Sequence, residues 1–353
     1  MTKVPEILKR LMGFLDRHER VALVTILGLR GSGPRRAGSK MLVPATGPTV
    51  GTIGGGWLES EALQSAREVL TTGRFQLRTL SLSQEEASES GMICGGTVDL
   101  LVECLDGADP ELVELFRQVT VTFGSHRPGF LVTVVERNAE TMRTSHTLVG
   151  AHGQWLAGNS WAADWQSWRE RMVGRTQPIL LQESNRLVFI DPLNPPKTVW
   201  IFGGGHLAES LAPLCAQVDF RVVVLDDREE FATASRFPTA AEVQVVPSFA
   251  TAMKSLPIRT DGLVVIVTHG HLWDQVVLAQ ALRTEAAYIG MIGSRRKRDA
   301  TYRALAEEGF SSTELQRVHC PIGLPIGAET PQEIAISIVA ELISARAGLE
   351  RSL

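Results

Sequence analysis

Five residues, Thr198–Phe202, run without a break into Gly203-Gly204-Gly205-His206-Leu207-Ala208, and this join constrains the fold more than any other stretch of the chain. The β-branched and aromatic run before it predicts a strand. The glycines then read as G-x-G-x-x-A, with a helix expected to follow. Gly203 suits a tight turn, Gly205 lets backbone approach a phosphate, and Ala208 permits close packing of helix on strand. A second strand-like run, Arg221–Leu225, is followed by Asp226, 23 residues after Gly203. That is near the spacing of about 20 expected for an acid that binds a ribose. The pattern predicts a Rossmann-like domain whose loop binds a nucleotide, binds some other phosphate, or merely turns the chain.

The rest of the C-terminal part supports parallel strands. Apolar, β-branched runs recur at Val199–Phe202, Arg221–Leu225, Val243–Val246, Leu263–Val267 and Ala287–Ile292, with helix-like stretches between them. This alternation predicts βαβ units. A last helix is expected from Pro331 to about Ala345, opened by a capping box of Thr330 and Glu333. Strand C-termini are where such sheets bind ligands. Thr268-His269-Gly270-His271 follows one strand, with Asp274 three residues on; His269 is a candidate ligand contact, and His271 and Asp274 are candidate metal ligands. Ser294 and Arg295 follow another strand and suit an anion, and His206 lies in the glycine loop itself. Pro321–Ala328 reads as a rigid loop that shapes a site wall or docks the two domains.

The N-terminal part reads as α+β. Ile7, Leu8, Leu11, Met12 and Leu15 share one face of a helix. Val21–Leu27, Lys40–Val43, Asp99–Cys104 and Gly129–Glu136 look like strands, with Gly28 ending the first, and Glu59–Leu70 looks like a helix. Three prolines between Pro192 and Pro196 make a stiff connector. The expected domains are therefore 1–190 and 198–353, with a linker at 191–197. Four tryptophans between Trp155 and Trp168 read as packing around a helix or as an aromatic partner surface.

Three further segments carry candidate site residues. Gly31–Met41 offers Arg35 among glycines, which suits a phosphate or carboxylate. Gly54, Gly55 and Gly56 lead into the expected helix, again a geometry for an anion. Cys94, followed by Gly95 and Gly96, is a thiol among backbone N–H groups that could ligate a soft metal or carry sulfur, or be buried structure. Cys104, Cys215 and Cys320 read as core thiols. No CxxC pair or zinc spacing occurs, and no disulfide framework is expected.

Charge narrows the function. With 35 basic and 39 acidic residues, net charge −4, the chain lacks the basic excess of a general nucleic-acid binder. No run of 18 apolar residues suggests a membrane span, and the first twenty residues lack a signal-peptide pattern, so a cytoplasmic location is expected.

In order, the segments GSGPRRAGSKM, GTIGGGWLE, GMICGG, IFGGGHLA, VVVLDDR, THGHLWD, YIGMIGSRRK and PIGLPIGAETPQEIAISIVAELI resemble the XdhC/CoxI family, the xanthine dehydrogenase accessory factors. They span residues 31 to about 343, and the ordered set is specific where no single motif is. The resemblance implies a family-specific N-terminal domain and a C-terminal Rossmann domain. It implies binding of the molybdenum cofactor (molybdopterin), protection while a cysteine desulfurase supplies sulfur, and delivery to a xanthine dehydrogenase-type molybdoenzyme. A homodimer is implied as well. Family members often carry an acid or Ser in place of Gly270 and Leu in place of Trp273, which favours His269, His271 and Asp274 as the useful groups of that segment. The expected function is thus a non-catalytic cofactor chaperone. The alternatives are an NAD(P)- or flavin-dependent oxidoreductase and an enzyme that modifies molybdopterin, a sulfurtransferase or nucleotidyltransferase.

Overall fold

The structure is a computed structural model that describes residues 4–31, 35–82, 96–125, 128–137, 142–160 and 165–349. The chain divides into two compact units, Met1–Pro195 and Pro196–Leu353.

The first unit holds two five-stranded antiparallel sheets. Helix α1 (Val4–Leu15) precedes β1 (Arg20–Gly31), β2 (Lys40–Pro44), β3 (Val50–Gly51), α2 (Gly56–Thr72), β4 (Gln76–Leu82) and β5 (Gly96–Asp106). These strands form one sheet in the order β3-β2-β1-β5-β4. After α3 (Pro110–Gly124) come β6 (Gly129–Arg137), β7 (Met142–Gly150), β8 (Trp155–Gly158), α4 (Trp165–Met172), β9 (Ile179–Gln182) and β10 (Arg186–Leu193). They build the second sheet, β8-β7-β6-β10-β9. The apolar face of α1 is buried as its spacing requires, with Leu11 and Leu15 packed against Leu23 and Leu105 of the first sheet and Leu131 and Leu148 of the second. A buried polar bridge also joins the sheets: His146 Nε2 lies 2.9 Å from Glu103 Oε1, and its Nδ1 lies 3.1 Å from Thr133 Oγ1.

Two expectations are corrected here. Gly28 does not end β1; it follows an irregularity between Ile26 and Gly28 that leaves Leu27 without a ladder partner on β5, and the strand continues to Gly31. A bulge of this kind absorbs the irregularity that the glycine signals. Residues 191–193, expected at the head of the linker, are the end of β10, with Pro192 opposite Phe130. Of the tryptophans, Trp168 is buried and donates its ring N–H to Glu183, whereas Trp155 is exposed. Trp161 lies outside the described residues.

The second unit is an α/β sandwich. Its elements are β11 (Thr198–Phe202), α5 (His206–Gln217), β12 (Arg221–Asp226), β13 (Glu242–Val245), β14 (Gly262–Ile266), α6 (His271–Leu282), β15 (Tyr288–Met291), α7 (Arg295–Glu307), α8 (Ser312–Gln316), β16 (Val318–His319) and α9 (Pro331–Arg346). All six strands are parallel, in the order β13-β12-β11-β14-β15-β16. Counted within the unit this is 3-2-1-4-5-6, the Rossmann order, with its switch point between β11 and β14. Alternate residues feed opposite cores. Val199 and Ile201 pack with α5 and α9, while Trp200 and Phe202 pack with α6 and α7. The capping box at Thr330 and Glu333 forms as expected.

Candidate functional site

Register brings the candidate loops of the second unit to one edge. Phe202 stands level with Leu225 and Ile266, and Ile266 with Met291. The loops after β11, β12, β14 and β15 therefore leave the sheet side by side at its C-terminal edge, where open α/β sheets bind ligands.

The three glycines of the first loop have different reasons to be glycine. Gly203 has φ +113°, and a Cβ there would lie 2.3 Å from the Val267 carbonyl oxygen. A Cβ on Gly204 would lie 2.5 Å from the Phe231 carbonyl oxygen. Both are fixed by contact with the protein itself. Gly205 has an ordinary φ of −76°, and a Cβ there would meet nothing within 4 Å. It is the N-cap of α5 and has no side chain to cap that helix, and among the described residues no side-chain acceptor is seen on the first N–H groups of α5. Ala208 is fully buried against the sheet. The first turn of α5 thus presents uncapped N–H groups to open space, with His206 exposed at its first position.

Asp226 is not placed as a ribose-binding acid. It is fully buried, and its carboxylate accepts from the Gly204 N–H at 2.7 Å and the Arg228 N–H at 3.0 Å. Arg228 Nε and Nη2 add donors at 2.9 and 3.0 Å. Burial pushes this carboxyl up, but the Arg228 and Gly204 hydrogen bonds outweigh it and hold it below the usual carboxylate range. The next acid, Asp227, pairs with His269 Nε2 at 3.1 Å. This contact spans the ends of β12 and β14 on either side of β11.

Asp274 is likewise engaged. It is buried on α6, accepts from the Thr268 N–H at 3.2 Å and hydroxyl at 2.6 Å, and pairs with Lys297 of α7. Lys297 also donates to the Ile292 carbonyl. The expected pairing of His271 and Asp274 on a metal therefore fails, because His271 is exposed while Asp274 ties two helices to the end of β14. Among the described residues no group of three His, Cys, Asp or Glu side chains could hold a metal. Ser294 caps α7, accepting from the Lys297 N–H, and Arg295 is exposed beside it.

In the first unit the candidates behave differently. Gly54, Gly55 and Gly56 do open α2, but Glu59 of that helix folds back, accepting from Thr52 Oγ1 at 2.6 Å and the Gly55 N–H at 3.1 Å. The expected anion position is filled by the chain's own carboxylate. Arg35 is half-buried and already engaged, and Lys40 of the same segment pairs with Asp191. Gly96 is a ladder residue of β5, opposite Gly31 and Leu82, rather than a loop glycine. Cys94 and Gly95 lie outside the described residues. Cys215 and Cys320 are buried thiols pushed up by burial, to about 12 and about 11, and Cys104 is half-buried. None has the thiolate character of a reactive cysteine.

Two family descriptions match the chain: the XdhC Rossmann domain over residues 199–342, and the XdhC and CoxI family over residues 14–81. The chain belongs to the XdhC/CoxI family. Relatives extend over nearly its whole length. A probable xanthine dehydrogenase subunit of Bacillus subtilis is 28% identical over 94% of this chain and 95% of its own. The molybdenum cofactor insertion chaperone PaoD of Escherichia coli is 24% identical over 92% and 83%. The uncharacterized protein YqeB of Escherichia coli is 26% identical over 92% of this chain, which spans only 43% of YqeB. A crystal structure described as a xanthine dehydrogenase from Bacillus halodurans superposes with a TM-score of 0.79 at 26% identity, covering 99% of this chain and 97% of that one. The glycine loop lies within the residues matched as the XdhC Rossmann domain.

Sequence reading missed the partners that decide these roles. Arg228, Lys297 and Glu59 are not among the candidate site residues that the sequence reading selects. The Asp-x-Arg spacing of Asp226 and Arg228 is the one local signal that an acid at a strand end is neutralised by its own loop.

Proposed function

We propose that this XdhC/CoxI protein binds the molybdenum cofactor through its pterin phosphate and delivers it to a xanthine dehydrogenase-type hydroxylase. The observation that carries the reading is the uncapped start of α5 beside Gly205, where a phosphate finds free N–H groups and no Cβ in its way. The relative named a molybdenum cofactor insertion chaperone supports the same role. In the finer form of the proposal, the chain works as a homodimer and shelters the cofactor while a cysteine desulfurase supplies sulfur. Cys94 is then the thiol to test for contact with molybdenum or sulfur.

The test is anaerobic incubation with the cofactor, followed by gel filtration and molybdenum analysis, with transfer to an apo-hydroxylase as a second readout. Wild type retains about one cofactor per chain. Gly205→Val keeps the fold, because its backbone is ordinary and its surroundings empty, but loses retention. Equal retention by the two would remove the glycine loop from the site. Failure of wild type to retain cofactor, with clear NAD(P) binding, would make the oxidoreductase alternative the better one.

A further inference from the structure

We infer that Arg228 is a specificity determinant: it takes the ribose-reading acid of this fold out of use, so the glycine loop reads its ligand through phosphate alone. The inference rests on the proposed function only in placing a phosphate ester at that loop.

A carboxylate offers about four lone-pair sites. Asp226 has four donors on it: the Gly204 N–H, the Arg228 N–H, and Arg228 Nε and Nη2. A ribose diol binds such an acid by donating its hydroxyls. Here no acceptor capacity is left, and the carboxylate is fully buried.

The arrangement is held from the other side as well. The Arg228 guanidinium lies 3.7 Å from the centre of the Phe231 ring, and Arg236 lies 4.5 Å from the same ring. A planar guanidinium bound bidentately and stacked is fixed in orientation. Displacing it would leave a buried charge without its partner. Asp227 is no ready substitute, since it is bonded to His269.

The ligand class follows. A phosphate ester whose remainder is not a ribose, such as a pterin carrying a terminal phosphate, loses nothing at this loop. A dinucleotide gains nothing from its ribose. The loop therefore favours the phosphate-ended cofactor at least as well as a nucleotide-extended one.

The test compares ADP with 2′,3′-dideoxy-ADP, and both with pyrophosphate, by calorimetry on the full chain. Wild type should bind the two nucleotides within about twofold of each other. Arg228→Leu frees two sites on Asp226 and should favour ADP by about tenfold, the worth of a hydrogen bond to a charged group. Arg228→Lys, which keeps the charge and guards against misfolding, should show part of that preference. A tenfold preference for ADP in wild type would overturn the inference, whichever acid supplied it, and so would an unchanged ratio in both Arg228 variants. If wild type bound none of the three, the phosphate-site reading would fall. Gain or absence of ADP binding in the Arg228 variants would still decide this inference.

Discussion

Two helices of this protein begin the same way and end up with opposite chemistry. A run of three glycines leads into both α2 and α5, and each helix carries a glutamate four residues after its N-cap, Glu59 after Gly55 and Glu209 after Gly205. In α2 the glutamate turns back and accepts from Thr52 and the Gly55 N–H. In α5 it is drawn away by Arg236, at 2.8 Å. One helix start is filled from within, and the other stays open. A glycine-rich helix start is open to an outside anion only if the chain supplies none of its own, and here Glu209 is paired with a residue 27 positions away.

The largest effect should separate the glycines within α5's own loop. Gly203→Ala forces a side chain into φ +113° and against the Val267 carbonyl. A loss of about 3 kcal/mol is expected, seen as a fall of about 6 to 12 °C in the melting of the second unit. Gly205→Val should melt with wild type. Equal melting of all three proteins would mean that the loop is not held as described.

Acid should act on Asp226. Its folded pKa is depressed, so its stabilisation is complete above the unfolded value of about 4 and is lost as the pH falls through the folded one. The advantage of wild type over Asp226→Asn in denaturant titrations should therefore shrink as the pH drops below about 4. An advantage independent of pH would show that the pair contributes by shape rather than charge.

The two glutamates should differ in stability as they do in contacts. Glu59→Ala removes two hydrogen bonds at a helix start and should cost about 1–2 kcal/mol. Glu209→Ala removes a partly exposed ion pair worth about 0.5 kcal/mol or less. Matching losses in chemical denaturation would erase the distinction drawn between the helices.

What the sequence revealed divides along the same line. Most strand and helix positions of the second unit were legible because continuous apolar, β-branched runs and glycine punctuation are local. The Thr330 cap was legible for the same reason. In the first unit β3, β4, β7, β8, β9 and β10 were missed. Strands such as Arg186–Leu193 and Met142–Gly150 mix polar residues into the apolar pattern, and they are fixed by antiparallel partners far along the chain. Sequence placed the loops after β11, β14 and β15 at the strand C-termini, where the register puts them, but did not foresee the partners of their acids. Asp226 and Asp274 looked like ligands for outside groups: the Arg228 pairing had only the two-residue spacing to announce it, and Lys297, 23 residues from Asp274, becomes visible only in three dimensions.

The smallest expected effect is the sharpest test of the comparison. If Arg236 keeps the start of α5 open, Arg236→Ala should free Glu209 to fold back as Glu59 does. Pyrophosphate affinity should then fall by about fivefold, about 1 kcal/mol, because the ligand must displace a carboxylate already there. The double variant Arg236→Ala with Glu209→Ala should regain wild-type affinity, since no internal anion remains to compete. A loss that persists in the double variant would mean that Arg236 itself touches the phosphate, and the open start of α5 would then owe nothing to where Glu209 is held. Recovery would show instead that one ion pair separates a helix start that caps itself from one that binds a ligand.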